Sequence, residues 1–265
     1  MEIYFVDSFT TEPFKGNPAA VCMTSNALSP STMQDMATEI GFSETAFLCQ
    51  IDENTFGIRF FSPKTEIPIC GHATLAAANV LFETSAMETI VFKTQQQIHL
   101  MVARCERKIK MKFPLSTLES FSVPMEMLHA LGILEFLESN FNAEYRIIVI
   151  EIPSVSGLQK LSPDYQKLLS SYNDINGVVV TAASTTDEYD FQYRYFWPWS
   201  GSNEDSVTGG VQTFLTKYWS NKLNKKTLHC YQASQRGGSM TTELTNHAVY
   251  IYGNAVITLK GNWLI

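Results

Sequence analysis

The sequence predicts an α+β protein of two pseudo-symmetric lobes, each a curved, mostly antiparallel, barrel-like sheet wrapped around one central helix. Strand-like runs with a period of two occupy most of the chain. Two segments, residues 70–83 and 205–219, instead have the character of core helices. Each follows a glutamate and has glycines near its start, and aligning Gly71 with Gly209 sets the two halves 138 residues apart. This repeated order favours two similar lobes with a cleft between them.

The first lobe is expected to span residues 1–116. Its strands are expected at 2–7, 18–23, 44–51, 56–61, 89–94, 97–105 and 108–113, with a capped helix at 29–41. The segment 70–83 is apolar nearly all round and has only three polar residues before Glu83. A helix with so little polar surface is expected inside the sheet.

The second lobe is expected to span residues 117–265. A serine-rich segment with a proline at each end, residues 114–124, precedes it as a linker. Its central helix lies near 205–219, and the last strand is a candidate to pack back on the first lobe. Its other elements are expected as a helix at 124–132, strands at 145–151, 175–183 and 191–198, and four strand-like runs after residue 219.

Composition and charge exclude several classes of protein. The chain is 45% apolar and carries a net charge of −7, which argues against nucleic-acid binding. No apolar run reaches the roughly 20 residues that cross a bilayer, and no targeting signal is visible. The five cysteines are scattered without a CxxC pair, which is typical of reduced thiols and argues against a zinc site. We expect a soluble cytoplasmic protein with no metal.

Glu44 is the most unusual charged residue in the strand-like runs. In GFSETAFLCQI it shares one face of the strand with Phe42, Ala46 and Leu48. Burial there would raise the pKa of its carboxyl towards neutrality, as a general acid or base at pH 7 requires. The alternative is a strand-end glutamate turned to water, which the alternation alone slightly favours.

The two helix starts are candidate anion sites. CGHAT at 70–74 and VTGGV at 207–211 would leave backbone N–H groups uncovered, although glycines also occupy helix starts for reasons of packing. His72 is expected to be neutral because the positive helix end disfavours imidazolium, and a lone histidine there is more often a core residue. Asp205 fits an ordinary N-cap.

Cys70 offers a further possibility, because a thiol at a helix N-terminus has a lowered pKa and can act as an acid, base or nucleophile. A two-base racemase would need a matching thiol in the other lobe. The equivalent residue there is Thr208, which cannot take that role. We therefore expect Cys70 to be a small apolar filler.

Five blocks of the sequence resemble the PhzF-like proteins, which are named for the phenazine biosynthesis isomerase. They are VDSFTTEPFKGNPAAV (6–21), SETAFL (43–48), IRFFSPKTEIPICGHATLAAANVLF (58–82), EDSVTG (204–209) and QASQRGG (232–238). The resemblance implies the diaminopimelate epimerase-like fold, in which two similar lobes have the active site between them. Residues 120–190 carry no recognisable motif.

The resemblance also implies roles for single residues. In the isomerase that names the family, a glutamate in the block like SETAF moves a proton on a cyclohexadiene carboxylate without a cofactor or metal. The matching residue here is Glu44, while His72 and Asp205 match residues that bind and orient the substrate. Backbone donors at Gly71 and Gly209 would assist them.

The resemblance implies smaller roles for two further residues, and two other positions depart from the family pattern. Asn17 would shape the floor of the cleft, and Thr208 is a candidate substrate-binding residue. Ser206 stands where the family has a proline, and Gly210 replaces a serine that supplies a polar contact in the isomerase. The missing hydroxyl concerns the identity of the substrate more than the proton transfer.

The sequence therefore predicts a cofactor-independent isomerase acting on a small carboxylate, with a homodimer as one option that the resemblance admits. One alternative is a racemase or dehydratase that uses Cys70, although SETAF together with GHAT argues against it. The other is a non-catalytic ligand-binding or interaction scaffold, for which Gly210 is the one supporting feature.

Overall fold

The computed structural model describes residues 1–24 and 28–264 and divides into two compact units. The first unit comprises residues 1–113 together with the segment from residue 250 onwards. The second unit comprises residues 114–249. The first unit is therefore assembled from two stretches of chain that are far apart in sequence.

Strands predominate in both units. In chain order they are β1 (Glu2–Ser8), β2 (Asn17–Thr24), β3 (Glu44–Asp52), β4 (Thr55–Phe61), β5 (Glu66–Ile67), β6 (Thr89–Lys93), β7 (His99–Cys105), β8 (Lys108–Pro114), β9 (Glu119–Ser120), β10 (Glu138–Asn142), β11 (Ile147–Glu151), β12 (Gly177–Ala183), β13 (Phe191–Trp197), β14 (Ser202–Glu204), β15 (Thr227–Gln232), β16 (Gly238–Leu244), β17 (Ala248–Gly253) and β18 (Ala255–Asn262). The α-helices are α1 (Pro30–Ile40), α2 (Gly71–Thr84), α3 (Met125–Leu131), α4 (Val155–Lys160), α5 (Tyr165–Ser171) and α6 (Gln212–Leu223). The predicted α+β class is confirmed.

The sheet of the first unit is mostly antiparallel. Strand β1 lies between β2 and β18 and runs antiparallel to both. Strands β2 and β3 are parallel, as their connection through α1 allows, and their register places Ala19 opposite Glu44. Strand β3 then pairs antiparallel with β4, and β6, β7 and β8 form an antiparallel meander. This order places the start of β3 beside the start of β2.

Helix α2 is the buried helix of the first unit. Every side chain from His72 to Phe82 is buried, in agreement with the apolar composition of this segment. The helix packs against β1, β2, β3 and β18. Its first residue is Gly71, close to the start that the sequence predicts. Of the strands that it contacts, β1, β2 and β3 carry sequence blocks of the resemblance.

The second unit combines antiparallel and parallel pairs. Strands β9, β10 and β11 are antiparallel neighbours, β11 and β12 are parallel, and β12 and β13 are antiparallel. Strand β13 also pairs with β14 and, in parallel, with β15, which continues to β16. Helix α6 packs against β15 and β16.

Helix α6 begins at Gln212, whereas the sequence predicts a start near Asp205. The preceding residues form an irregular loop, in which the Thr208 N–H donates to the Oε1 atom of Gln232 at 2.7 Å. An N-cap role for Asp205 is therefore wrong, since the residue before α6 is Val211.

Several further elements of the second unit were outside the predictions, among them the short strands β9 and β14. Strand β10 has the sequence ESNFN, whose polar residues conceal its strand character. Helices α4 and α5 are too short for a helical period to stand out from their sequence. Within the described residues, no helix combines the length and apolar character needed to cross a membrane.

Candidate active site

Glu44 is the first residue of β3, and only 7% of it is exposed, so its predicted burial is confirmed. The interpretation as a strand-end glutamate turned to water is wrong. Its Oε2 atom lies 3.0 Å from Nε2 of His72, the second residue of α2. The pair forms because β3 and the N-terminus of α2 both lie against β2.

His72 is held from several sides. The side-chain amide of Asn17 lies 3.2 Å from its Nδ1 atom, and Ser43 Oγ lies 3.4 Å from its Nε2 atom. The hydroxyl of Ser8 donates to its backbone carbonyl at 2.8 Å. Because an amide can present either oxygen or nitrogen, Asn17 can pair with either protonation state of Nδ1. These contacts fix the ring with Nε2 facing Glu44.

The predicted charge states of this pair are wrong in direction. Burial raises the pKa of Glu44, but the charge of His72 and hydrogen bonds from His72 and Ser43 outweigh it and leave that pKa below its usual value. Burial lowers the pKa of His72, but Cys70 and Glu44 raise it well above its usual value. The two side chains therefore form a buried ion pair of carboxylate and imidazolium.

Cys70 is the N-cap residue of α2, and its side chain is buried. Its Sγ atom lies 3.5 Å from Nδ1 of His72 and 4.0 Å from Nε2. Burial raises the pKa of the thiol, and the nearby Glu44 adds to the rise, although His72 opposes it. The lowered pKa that an acid–base cysteine needs is therefore not found, but the thiol contacts the site and is more than a filler.

Glu44, Cys70 and His72 also form a set of potential metal ligands. Each offers one donor atom, and the three donors all lie within 4.8 Å of one another. The sequence suggested no metal site because the cysteines are scattered, and spacing along the chain could not reveal this cluster.

The loop between β1 and β2 begins and ends at this site, since Ser8 and Asn17 both contact His72. The carboxylate of Asp7 accepts the N–H of Phe14 at 2.6 Å, which closes the loop. Gly16 has a φ of +65°, and a Cβ atom there would lie 2.1 Å from the carbonyl oxygen of Ser8. The block DSFTTEPFKGNP thus builds one wall of the site.

Ser8 and Ser43 were not among the predicted site residues. Both contact His72, and both belong to the sequence blocks that carry the resemblance. The signal that could have found Ser43 is its position directly before Glu44 in SETAF. Gly71, which was predicted, is the first residue of α2, where a Cβ atom would approach the ring of Phe113 at 3.4 Å.

In the second unit, Asp205 and Thr208 lie in one tightly bonded loop. The hydroxyl of Thr208 donates to the carboxylate of Asp205. The amide of Gln232 accepts from the Thr208 N–H and donates to the Asp205 carbonyl, both at 2.7 Å, and the hydroxyl of Tyr193 donates to the Thr208 carbonyl at 3.0 Å. The block QASQRGG therefore supports the block EDSVTG.

Gly209 and Gly210 form the turn into α6. Their carbonyl groups accept the N–H groups of Gln212 at 3.0 Å and Thr213 at 3.2 Å. No described atom lies within 4 Å of where a Cβ atom of Gly210 would be. Packing therefore does not require glycine there, and the departure from serine concerns what this loop can contact.

The structure thus groups Glu44, His72, Cys70 and Asn17 in the first unit. It groups Asp205 and Thr208, with the two glycines that follow, in the second unit.

Comparison with known proteins shows the family and the fold of the chain. The model of a family described as phenazine biosynthesis-like protein matches residues 6–261. A protein named as an uncharacterized isomerase from Halalkalibacterium halodurans is 40% identical, over 99% of this chain and 98% of the relative. A crystal structure of a PhzF family protein from Enterococcus faecalis has a TM-score of 0.92 and 37% identity, covering 99% of each chain. A predicted epimerase from Pseudomonas aeruginosa, with a TM-score of 0.71 and 18% identity, covers 100% of this chain and 99% of its own and shares the fold.

Proposed function

The chain belongs to the phenazine biosynthesis-like family of isomerases, and on this premise we propose that it shifts a proton between two carbon atoms of a small carboxylate-bearing metabolite, without a cofactor. The observation that carries the proposal is the buried pair of Glu44 and His72, 3.0 Å apart. A carboxylate that is shielded from water and oriented by a partner is suited to general base catalysis.

In the proposed reaction Glu44 is the proton carrier. Its carboxylate removes a proton from a carbon activated by the substrate's carboxyl group, so that the C–H bond breaks and a Glu44 O–H bond forms. The electron pair becomes delocalised as an enolate-like anion. Glu44 then gives a proton, the abstracted one or one exchanged with solvent, to a second carbon, which moves the double bond and regenerates the carboxylate.

His72 has two roles in this proposal. Its positive charge keeps Glu44 ionised and so able to accept a proton, while the lowered pKa makes the carboxylate a weaker base than burial alone would. The same charge, with the N–H groups at the start of α2 near Gly71, favours negative charge that develops on the substrate. Asn17 and Ser43 hold the imidazole ring in place.

For the second unit, the proposal rests on the family pattern of EDSVTG. Asp205, Thr208, Gly209 and Gly210 are proposed to bind the substrate. The bonds from Gln232 and Tyr193 support this role because they keep the loop in one conformation before a ligand arrives.

Deuterium incorporation tests the proposal and identifies a substrate in the same experiment. A panel of unsaturated and cyclic carboxylic acids is incubated with the protein in D2O and analysed by mass spectrometry. We expect one compound to gain deuterium with the wild-type protein and with Glu88→Gln, an exposed acid used as a control. Glu44→Gln should slow the gain by at least about 100-fold, and equal incorporation by this variant would refute the proposal.

A second candidate function uses Cys70 as the proton carrier, as in a racemase or dehydratase. Its contact with His72 at 3.5 Å favours this candidate, whereas the raised pKa of the thiol disfavours it. Loss of deuterium incorporation in Cys70→Ala, with retention in Glu44→Gln, would establish Cys70 as the carrier.

A further inference from the structure

We propose that Glu44, Cys70 and His72 form a zinc-binding site, and that a bound ion blocks the proton-transferring pair. The inference goes beyond the proposed function, because the ion needs only the three donor atoms and no substrate. It would make the protein sensitive to free zinc.

The donor atoms are of the right kind and nearly at the right separation. Zinc in proteins is bound by thiolate, imidazole and carboxylate at about 2.0–2.3 Å, so neighbouring donors of a tetrahedral site lie roughly 3.3–3.7 Å apart. Here Glu44 Oε2 lies 3.0 Å and Cys70 Sγ lies 4.0 Å from Nε2 of His72. The donors of Glu44 and Cys70 lie within 4.8 Å of each other. Side-chain shifts of about 1 Å or less would therefore place all three around one ion.

The surrounding groups orient the donors as those of metal sites do. The amide of Asn17 lies against Nδ1 of His72, which leaves Nε2 for the ion. Cys70 is fixed by its position at the start of α2, where its carbonyl accepts the hydroxyl of Thr74 at 2.6 Å. A bound ion would therefore meet ligands whose backbones are already held in place.

The charges also match a divalent ion. A thiolate from Cys70 and a carboxylate from Glu44 together neutralise the two positive charges of zinc, while His72 binds as the neutral ring. An occupied site would thus be neutral, which matters because all three residues are buried. The sulfur donor favours zinc over magnesium or calcium, which bind through oxygen.

Occupancy would change the site's chemistry. An oxygen of Glu44 that binds zinc no longer accepts a proton, and His72 no longer carries the proton that pairs with Glu44. Three protein ligands leave a fourth position, open to water or to an anion. The bound form would therefore be inactive in the proposed proton transfer.

Cobalt provides a direct probe of the site. The full-length chain is stripped of metal with a chelator and titrated with Co2+, which gives a near-ultraviolet charge-transfer band only when a thiolate binds it. We expect the band in the wild-type protein and its displacement by equimolar Zn2+. Cys70→Ser should remove the band and weaken zinc binding by more than about 100-fold. This is more than the roughly 10- to 100-fold expected when a group that only orients a metal ligand is lost.

Cys49→Ser and Cys105→Ser are matched controls, because these two thiols are partly exposed and lie outside the cluster. Both variants should keep the band. A wild-type protein without the band, or a band of equal strength in Cys70→Ser, would overturn the proposal.

A second measurement needs no variant and so does not depend on how Cys70→Ser folds. Zinc should slow the alkylation of Cys70 by iodoacetamide at least tenfold, as measured by peptide mass spectrometry, while Cys49 reacts at an unchanged rate. Equal slowing of both thiols would contradict the site. Since these assays use no substrate, their failure would leave the proposed isomerase function intact.

Discussion

The two units secure the segment before their central helix in the same way. In the first unit Arg59 forms two hydrogen bonds with Glu66, at 2.8 and 2.7 Å. In the second unit Arg194 forms two with Glu204, at 2.7 and 2.8 Å. In both cases the arginine belongs to a long strand and the glutamate to a short strand beside it.

The likeness extends to the aromatic residue two positions after each arginine. The guanidinium of Arg59 lies 5.2 Å from the centre of the Phe61 ring, and that of Arg194 lies 4.8 Å from the Phe196 ring. An arginine, a phenylalanine and a glutamate thus recur in the same arrangement. This repetition supports a common structural origin for the two units.

The residues after each glutamate differ. In the first unit they lead to Cys70 and His72, which meet Glu44 in a cluster of ionisable groups. In the second they lead to Asp205 and Thr208, which are held by the neutral amide of Gln232. The two units therefore share a supporting framework but differ in the side chains that it presents: a cluster of ionisable groups in the first unit, and a loop held by a neutral amide in the second.

The largest expected effect is a division of kinetic roles between the two units. Glu44→Gln should lower kcat about 10²- to 10⁴-fold, because the variant lacks the general base. Asp205→Asn should mainly raise KM, by roughly 10- to 100-fold, as expected for a lost hydrogen bond to a charged group. Steady-state kinetics on the substrate found by deuterium incorporation would measure both. A fall in kcat of equal size in both variants would contradict this division of roles.

The next largest effect concerns stability and the second unit. Arg194→Ala should reduce the free energy of unfolding by about 3–5 kcal/mol, because it leaves Glu204 unpaired in a largely buried site. The two side chains are only 11% and 15% exposed, and Arg194 also donates to the carbonyl of Leu161 at 2.7 Å. Urea unfolding would measure the loss, and a change below about 1 kcal/mol would contradict it.

Arg59→Ala should cost less, about 1–3 kcal/mol, by the same measurement. Its pair with Glu66 is more open to solvent, with side-chain exposures of 20% and 29%, so water compensates part of the loss. Arg146→Ala, in the exposed pair with Asp174, is the matched control and should change stability by less than about 1 kcal/mol. A larger loss of unfolding free energy in Arg59→Ala than in Arg194→Ala would contradict this ranking of the two pairs.

The smallest expected effect is a dependence of stability on pH that belongs to the first unit. The raised pKa of His72 stabilises the fold fully below its unfolded pKa of about 6.5, and this contribution is lost as pH rises through the folded pKa. The lowered pKa of Glu44 stabilises the fold above about 4.3, and that contribution is lost as pH falls through the folded pKa. The pair is therefore most stabilising between these two values.

Urea unfolding at several pH values tests this window. The wild-type protein should have a larger free energy of unfolding than Glu44→Gln. This difference should shrink as pH rises from about 6.5 to 8, by at most about 1.4 kcal/mol per pH unit for one proton. Glu88→Gln should show no such trend, since that exposed acid pairs with Arg104 and not with His72. A constant difference for Glu44→Gln over this range would argue against the ion pair.

Much of the first unit could be predicted from local patterns. The apolar composition of residues 70–83 predicts a buried helix, and alternation around Glu44 predicts a strand with an acid on its apolar face. The charge states could not be predicted in this way. The pKa of Glu44 depends on His72, which lies 28 residues away in sequence and is brought near by packing on β2.

The second unit was harder to predict. Helical spacing continues through residues 205–211, yet this stretch is a loop in which Thr208 bonds to Gln232, 24 residues further on. Strand β10 is polar in sequence and exists because β9 and β11 pair with it on either side. In both places contacts distant in sequence override the local preference.

The pairing of β1 with β18 bears on how the protein is made. Ser8 lies opposite Ala255, so a ribosome completes all of residues 114–249 before the first strand of the chain meets its last partner. The second unit is continuous and can fold while synthesis proceeds, whereas the first unit keeps an open sheet edge until β18 has been synthesised. The unit that carries Glu44 and His72 would then mature after the second unit, and its sheet would close only once β18 is in place.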